Sequence, residues 1–179
     1  MNNRSFSVMS VDHERNRHRS RSPTIKLDLA EVAQCQVLLD FLINCDKFLI
    51  FWAAVPCGTC SKARSIPLSA HFHGPRPLRS ESHPRGLGNL TEAEQLRVDK
   101  ANLIYDHVYV CACQVLSKNG LVIIENPRNS ILWHLDNYVH LSSFPACSLV
   151  TFNTANGLQT NLHGLSGQRF SQIALLCRN

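Results

Sequence analysis

Two residues of nucleophile and acid type stand 68 positions apart, each where an apolar run gives out. One is Cys57, in Pro56-Cys57-Gly58-Thr59-Cys60-Ser61-Lys62-Ala63-Arg64; the other is Glu125, in Glu125-Asn126-Pro127. A thiolate beside a carboxylic acid can add to an electron-poor ring while the acid protonates or hydrogen-bonds a ring nitrogen. Asp12 and Asp28 end two earlier short apolar runs. Paired strand-end carboxylates suit a nucleoside cofactor, one accepting from ribose hydroxyls and the other lying near adenine. Cys57 also has a competing use: Cys57-x-x-Cys60 with His71 and His73 offers zinc-ligand types, although the His-x-His step is not the spacing of a common finger. Lys62, Arg64, Arg76, Arg79 and Arg85 are opposed in their stretch only by Glu81, a balance that suits a phosphate backbone. Arg15, Arg17, Arg19 and Arg21, interleaved with His13 and His18, form a second basic cluster. Solvated loops would carry the same charges.

The elements that must position these groups alternate in type. Ser7-Val8-Met9-Ser10-Val11 reads as a strand ending at Asp12, and Thr24-Ile25-Lys26-Leu27-Asp28 as a second. From Ala30 to Asn44 the pattern is helical, with Val32, Cys35, Leu38, Leu39 and Leu42 on one face. Phe48 to Val55 has the length and aromatic content of a buried strand. The Pro- and Gly-rich stretch 62–90 reads as a long basic loop, of a length that in compact domains tends to be functional or mobile. Thr91 and Glu94 form a capping box opening a helix to about Lys118, and Asn119-Gly120 supplies a stop with Gly in the left-handed position. Leu121 to Ile124 reads as a fully buried strand that Glu125-Asn126-Pro127 ends, with Ser130 capping a further helix to about His140. From Leu141 to Gln168 there is no Lys, Arg, Asp or Glu. That region reads as an irregular tail, with Asn156-Gly157 as a candidate hairpin turn.

Alternating strands and helices with buried strands predict an α/β domain, a Rossmann-like parallel sheet with helices on both faces. Residues 1–140 would form this domain and 141–179 the tail. The length of 179 residues, the 44% hydrophobic and the 17% charged content fit one folded domain rather than a disordered chain. No apolar run approaches the roughly 18 residues of a membrane span. No secretory signal pattern opens the sequence, which predicts an intracellular protein, nuclear if eukaryotic. Of the eight cysteines, Cys35, Cys45, Cys111, Cys113, Cys147 and Cys177 read as small buried hydrophobes rather than a disulfide framework.

Pro56-Cys57 at the end of one buried strand and Glu125-Asn126 at the end of the next resemble the Pro-Cys and Glu-Asn motifs of the DNA cytosine-5 methyltransferases. The resemblance covers roughly Ser7 to His140. It implies that Cys57 attacks C6 of a flipped cytosine, that Glu125 engages N3, and that C5 takes a methyl group from S-adenosylmethionine. It also implies that Asp12 and Asp28 contact that cofactor, and that Lys62, Arg64, Arg76 and Arg79 meet DNA. The chain departs from the family after Pro-Cys, where Gln is usual and Gly58 stands, and after Glu-Asn, where Val is usual and Pro127 stands. The family's first strand and glycine-rich loop have no counterpart. The resemblance is therefore to a partial relative, and two expectations follow. Either the strand ending at Asp12 lies directly beside the strand ending at Cys57, or a gap opens there; a partner chain is a candidate source of the missing strand. The alternative is a non-enzymatic nucleic-acid-binding module with zinc in its Cys/His loop.

Overall fold

A computed structural model of the chain describes residues 7–14, 16, 22–66, 74–144, 146–153 and 171–178. His71, His73, His18, Arg15, Arg17, Arg19, Arg21 and the Asn156-Gly157 pair lie outside the described residues. Strands β1 (Ser10–Asp12) and β2 (Thr24–Lys26) pair in parallel as a two-stranded sheet of their own. Helix α1 (Val32–Asn44) follows, burying Cys35, Leu38 and Leu42 at the predicted helical spacing. Its end is closed from a distance, with Lys118 Nζ donating to the carbonyls of Leu42, Ile43 and Cys45 at 3.1, 2.7 and 2.6 Å. A cation there satisfies the last helical acceptors and complements the helix dipole.

Strand β3 (Ile50–Ala54) leads into the Pro56-Cys57 turn and a short 3-10 helix, Lys62–Ser65. Helix α2 (Glu92–Ser117) opens with the expected reciprocal capping box between Thr91 and Glu94. At its exit the left-handed residue is Asn119, at φ 58°, and not Gly120. Asn tolerates that conformation because its short polar side chain bonds locally. Gly120 is required for a different reason: a Cβ there would sit 2.5 Å from Val115 Cγ1 and 2.9 Å from the Leu49 carbonyl oxygen.

Strand β4 (Leu121–Pro127) runs three residues further than the sequence suggests and includes Glu125, Asn126 and Pro127. Ser130 caps a 3-10 turn, Ile131–His134, and the predicted helix is completed as a separate piece, α3 (Asp136–Ser142). Strands β5 (Cys147–Asn153) and β6 (Ser171–Arg178) come from the segment read as an irregular tail. They complete a four-stranded sheet of order β3-β4-β6-β5. β3 and β4 are parallel, whereas β6 is antiparallel to both β4 and β5. The fold is α/β, but its main sheet is mixed, and the expected parallel sheet does not form. The uncharged stretch supplies β5, and β6, which follows it, bonds the far edge of β4 as far as Pro127. Cys147 and Cys177, expected as separate buried thiols, are opposite each other in that hairpin and form a disulfide.

Helix α2 touches α1 on one side and α3 on the other, so the three helices make one layer. The face they cover holds Ala53, Val122, Ile124, Leu175 and Cys177, all buried with Tyr105, Val108, Val115, Tyr138 and Leu141 in a single core. Leu27, from the loop after β2, joins the same core. The alternation of β4 makes the opposite face plain, because Leu121, Ile123 and Glu125 are only half-buried. On that face Ile50 and Val150 are exposed, and Trp52 is 64% exposed. Among the described residues the main sheet is thus covered by helices on one face and not on both.

Candidate functional site

Cys57 and Glu125 belong to neighbouring strands: Cys57 follows β3, and Glu125 lies within β4. β3 and β4 are hydrogen-bonded neighbours in parallel register, with Ala54 opposite Glu125. Cys57, three residues beyond Ala54, therefore leaves the sheet beside the strand that carries the acid. Glu125 shares a sheet face with Ala54 and Ala174, its partners on either side. Asn126 points the other way and is 2% exposed. Its Nδ2 donates 2.9 Å to the Val55 carbonyl, tying β4 to the segment just before Pro56-Cys57. Its Oδ1 is buried with no hydrogen-bond partner among the described residues, a condition that costs about 1–3 kcal/mol.

The Pro-Cys turn itself is held from every side. The Cys57 carbonyl accepts from Cys60 N at 3.0 Å and Ser61 N at 2.8 Å, which closes one helical turn. Tyr105 OH donates to the Pro56 carbonyl at 2.6 Å, Arg64 Nε to the Gly58 carbonyl at 2.7 Å, and Ile131 N to the Cys60 carbonyl at 2.9 Å. A Cβ placed on Gly58 would meet nothing within 4 Å, so the turn is open to solvent at its tip. Cys57 is a free thiol of intermediate exposure, while Cys60 is fully buried. Burial, partly offset by the Arg79 charge, pushes the Cys60 thiol up. Tyr105 is raised further by the same desolvation.

Asp12 and Asp28 lie close together at the ends of β1 and β2, but both are engaged by the protein. Asp12 accepts from His13 N at 2.8 Å and Asn16 Nδ2 at 2.6 Å, with Lys26 Nζ at 3.7 Å. Asp28 Oδ1 accepts from Ala30 N at 2.9 Å, and Oδ2 lies 3.2 Å from His13 Nε2. The Ala30 amide, followed by His13, holds the Asp28 carboxyl below its ordinary value. Both acids therefore help to hold the local fold of β1, β2 and the loops that follow them.

The basic loop is a clamp on α2. Arg79 is 4% exposed and spends its guanidinium on Thr59 Oγ1, the Pro84 carbonyl, Asn102 Oδ1 and the Val98 carbonyl, at 3.2, 2.7, 2.7 and 3.2 Å. It also lies over the Tyr105 ring. Arg76 forms a two-point pair with Glu94 and donates to the Asn89 carbonyl at 2.8 Å. Arg85 pairs both terminal nitrogens with Asp106, at 2.9 and 2.6 Å. Lys62 pairs with Glu81, and Arg64 reaches the Gly58 and Arg76 carbonyls. Of Lys62, Arg64, Arg76 and Arg79, the residues expected to contact phosphate, Arg79 is interior. The missed signal was local: Glu94 and Asp106 lie three turns apart on α2, the helix next in sequence. A cavity of about 600 Å³ separates the turn from this loop, lined by Cys60, Ser61, Lys62, Arg79, Ser80 and Glu81.

No group of three or more candidate metal ligands occurs among the described residues. Of the four proposed zinc ligands, Cys57 and Cys60 are described and His71 and His73 are not. No described helix is long and apolar enough to cross a membrane. Comparison with protein families, curated proteins and solved structures finds no match to this chain.

Proposed function

We propose that the chain is a partial DNA cytosine-5 methyltransferase-like domain that retains the nucleophile and acid but cannot transfer a methyl group by itself. The observation that carries this reading is the parallel pairing of β3 with β4, which puts Cys57 just beyond the carboxyl end of β3 and Glu125 on the neighbouring strand, opposite the last residue of β3. Ligands of open α/β sheets bind outside the carboxyl ends of their strands. A second feature supports the partial character: β1 and β2 stand apart from the main sheet, and β3 is an edge strand of that sheet among the described residues. That is the break expected where the family's first strand would lie.

The residues present do not fit S-adenosylmethionine. Both strand-end acids hold internal partners, and among the described residues no glycine-rich turn after β1 presents backbone amides to an anionic or zwitterionic ligand. The chemistry left to the chain is reversible addition. Cys57 Sγ bonds to C6 of cytosine as the C5–C6 π pair shifts toward N3, which Glu125 protonates. The resulting enamine carbon C5 can take a solvent deuteron. Loss of the original C5 proton and expulsion of the thiolate then regenerate cytosine.

The test is deuterium uptake at C5 of cytosine in single- and double-stranded DNA, followed by mass spectrometry. Uptake that disappears in Cys57→Ala and falls in Glu125→Gln is the expected result. No uptake above the Cys57→Ala background would remove the proposed chemistry. Calorimetric titration with S-adenosylmethionine should register no binding at millimolar cofactor, and saturable binding would overturn the partial reading.

A further inference from the structure

The turn that carries Cys57 holds a second sulfur in an arrangement that pyrimidine chemistry does not use. Cys57 and Cys60 are three residues apart on one closed helical turn, both as free thiols. Side chains at that spacing lie on the same side of a turn. Their surroundings differ sharply. Cys57 is partly exposed beside Gly58, where the space is open, while Cys60 has no exposed surface and lies against Tyr105 and Thr59. One thiol can therefore meet an external disulfide, and the other can meet only its neighbour. Burial pushes the Cys60 thiol up, and the nearby Arg79 guanidinium offsets part of that rise. The turn is pinned at Pro56, Gly58, Thr59 and Cys60 by Tyr105, Arg64, Arg79 and Ile131, so the geometry of the pair does not depend on loop motion.

We propose that Cys57 and Cys60 form a dithiol that reduces accessible disulfides by thiol–disulfide exchange, with Cys57 attacking and Cys60 resolving. The Cys57 thiolate attacks one sulfur of R–S–S–R′, forms the mixed disulfide Cys57–S–S–R and expels R′S⁻. Cys60 then attacks Cys57 Sγ, closing the Cys57–Cys60 disulfide and expelling RS⁻. The two thiol protons pass to the two leaving thiolates, and two electrons move from the protein to the substrate bond. The substrate class is any disulfide exposed enough to reach the rim of the sheet, whether of a small thiol such as glutathione or of a protein.

The inference needs neither cofactor nor DNA, so its outcome is separate from that of the methyltransferase reading. The full chain, equilibrated with oxidised glutathione and quenched by alkylation, should lose about 2 Da at the peptide holding Cys57 and Cys60. Peptide mapping keeps the Cys147–Cys177 bond distinct. Cys60→Ala should instead accumulate a glutathione adduct at Cys57, and Cys57→Ser should give neither product. Cys60 is interior, so circular dichroism must first establish that Cys60→Ala folds; the wild-type and Cys57→Ser arms stand without it. A second arm with disulfide-bonded insulin separates protein substrates from small ones: precipitation of the freed chains on addition of reduced wild-type protein marks a protein disulfide as substrate. A wild-type chain in which Cys57 stays reduced, or halts at the glutathione adduct, would overturn the proposal.

Discussion

At the scale of single residues, Arg79 changes the meaning of the basic loop most. Its guanidinium satisfies two carbonyls and two side chains inside the protein. Arg79→Ala should destabilise the fold by roughly 3–5 kcal/mol in urea unfolding, because the buried partners are left unpaired. Arg79→Lys should rescue little of this, since an ammonium cannot reproduce the planar fork. A residue that served DNA would behave the other way, losing affinity with stability unchanged. Glu94 gives a pH prediction of definite sign. Hydrogen bonding to Arg76, then to the Thr91 amide, holds its carboxyl down to about 2 in the folded state. A carboxyl depressed by folding adds stability above its ordinary value, and that stability is lost as pH falls toward the folded value. Wild type should therefore lose stability between about pH 5 and pH 2 more steeply than Glu94→Gln, as followed by unfolding midpoint against pH.

At the scale of elements, what the sequence makes legible is local. Thr91 and Glu94 are three residues apart, and their capping box forms as their spacing dictates. Cys35, Leu38 and Leu42 fall on one face of α1 for the same reason. The two strands leading to Cys57 and Glu125 were legible too, because each is a strongly apolar run. The extension of β4 through Pro127 was not, since it depends on β6, about fifty residues later in the chain. Proline reads locally as a strand breaker, yet Pro127 pairs with Gln172 at the last rung of that ladder. The disulfide was missed on the same account: Cys147 and Cys177 become opposite only once the hairpin register is set. Reducing this bond, which closes a loop of 30 residues, should lower stability by about 3–4 kcal/mol in the chain-entropy picture. Thermal melts of Cys147→Ser/Cys177→Ser against wild type would measure it. Gly120→Ala should cost about 1–3 kcal/mol through overpacking against Val115, in spite of the φ that places the left-handed turn at Asn119.

At the scale of the whole molecule, one sheet face and both sheet edges, β3 and β5, are left unpaired among the described residues. Ile50 and Trp52 are exposed on β3. Edge strands are usually blunted by lysine, proline or a bulge, and Ile50-Phe51-Trp52-Ala53-Ala54 has no charged residue or proline. Trp52→Ser should leave the unfolding free energy within about 0.5 kcal/mol, because the ring is mostly in water already. It should also reduce self-association in sedimentation at high concentration. A loss of several kcal/mol would mean that the ring packs against something in solution. The local run of basic residues was a poor guide at this scale: Arg76 and Arg85 are each matched by a carboxylate on α2.

The position of β6 bears on how the chain is made. It follows β5 in sequence, yet lies between β4 and β5 in the sheet. A ribosome therefore releases both flanking strands before the one that joins them. Until residues 171–178 have emerged, β4 has only β3 to bond and β5 has no partner. The sheet cannot assemble in the order of synthesis, so its exposed edges must wait, and it is during that interval that a nascent chain of this topology most needs a chaperone.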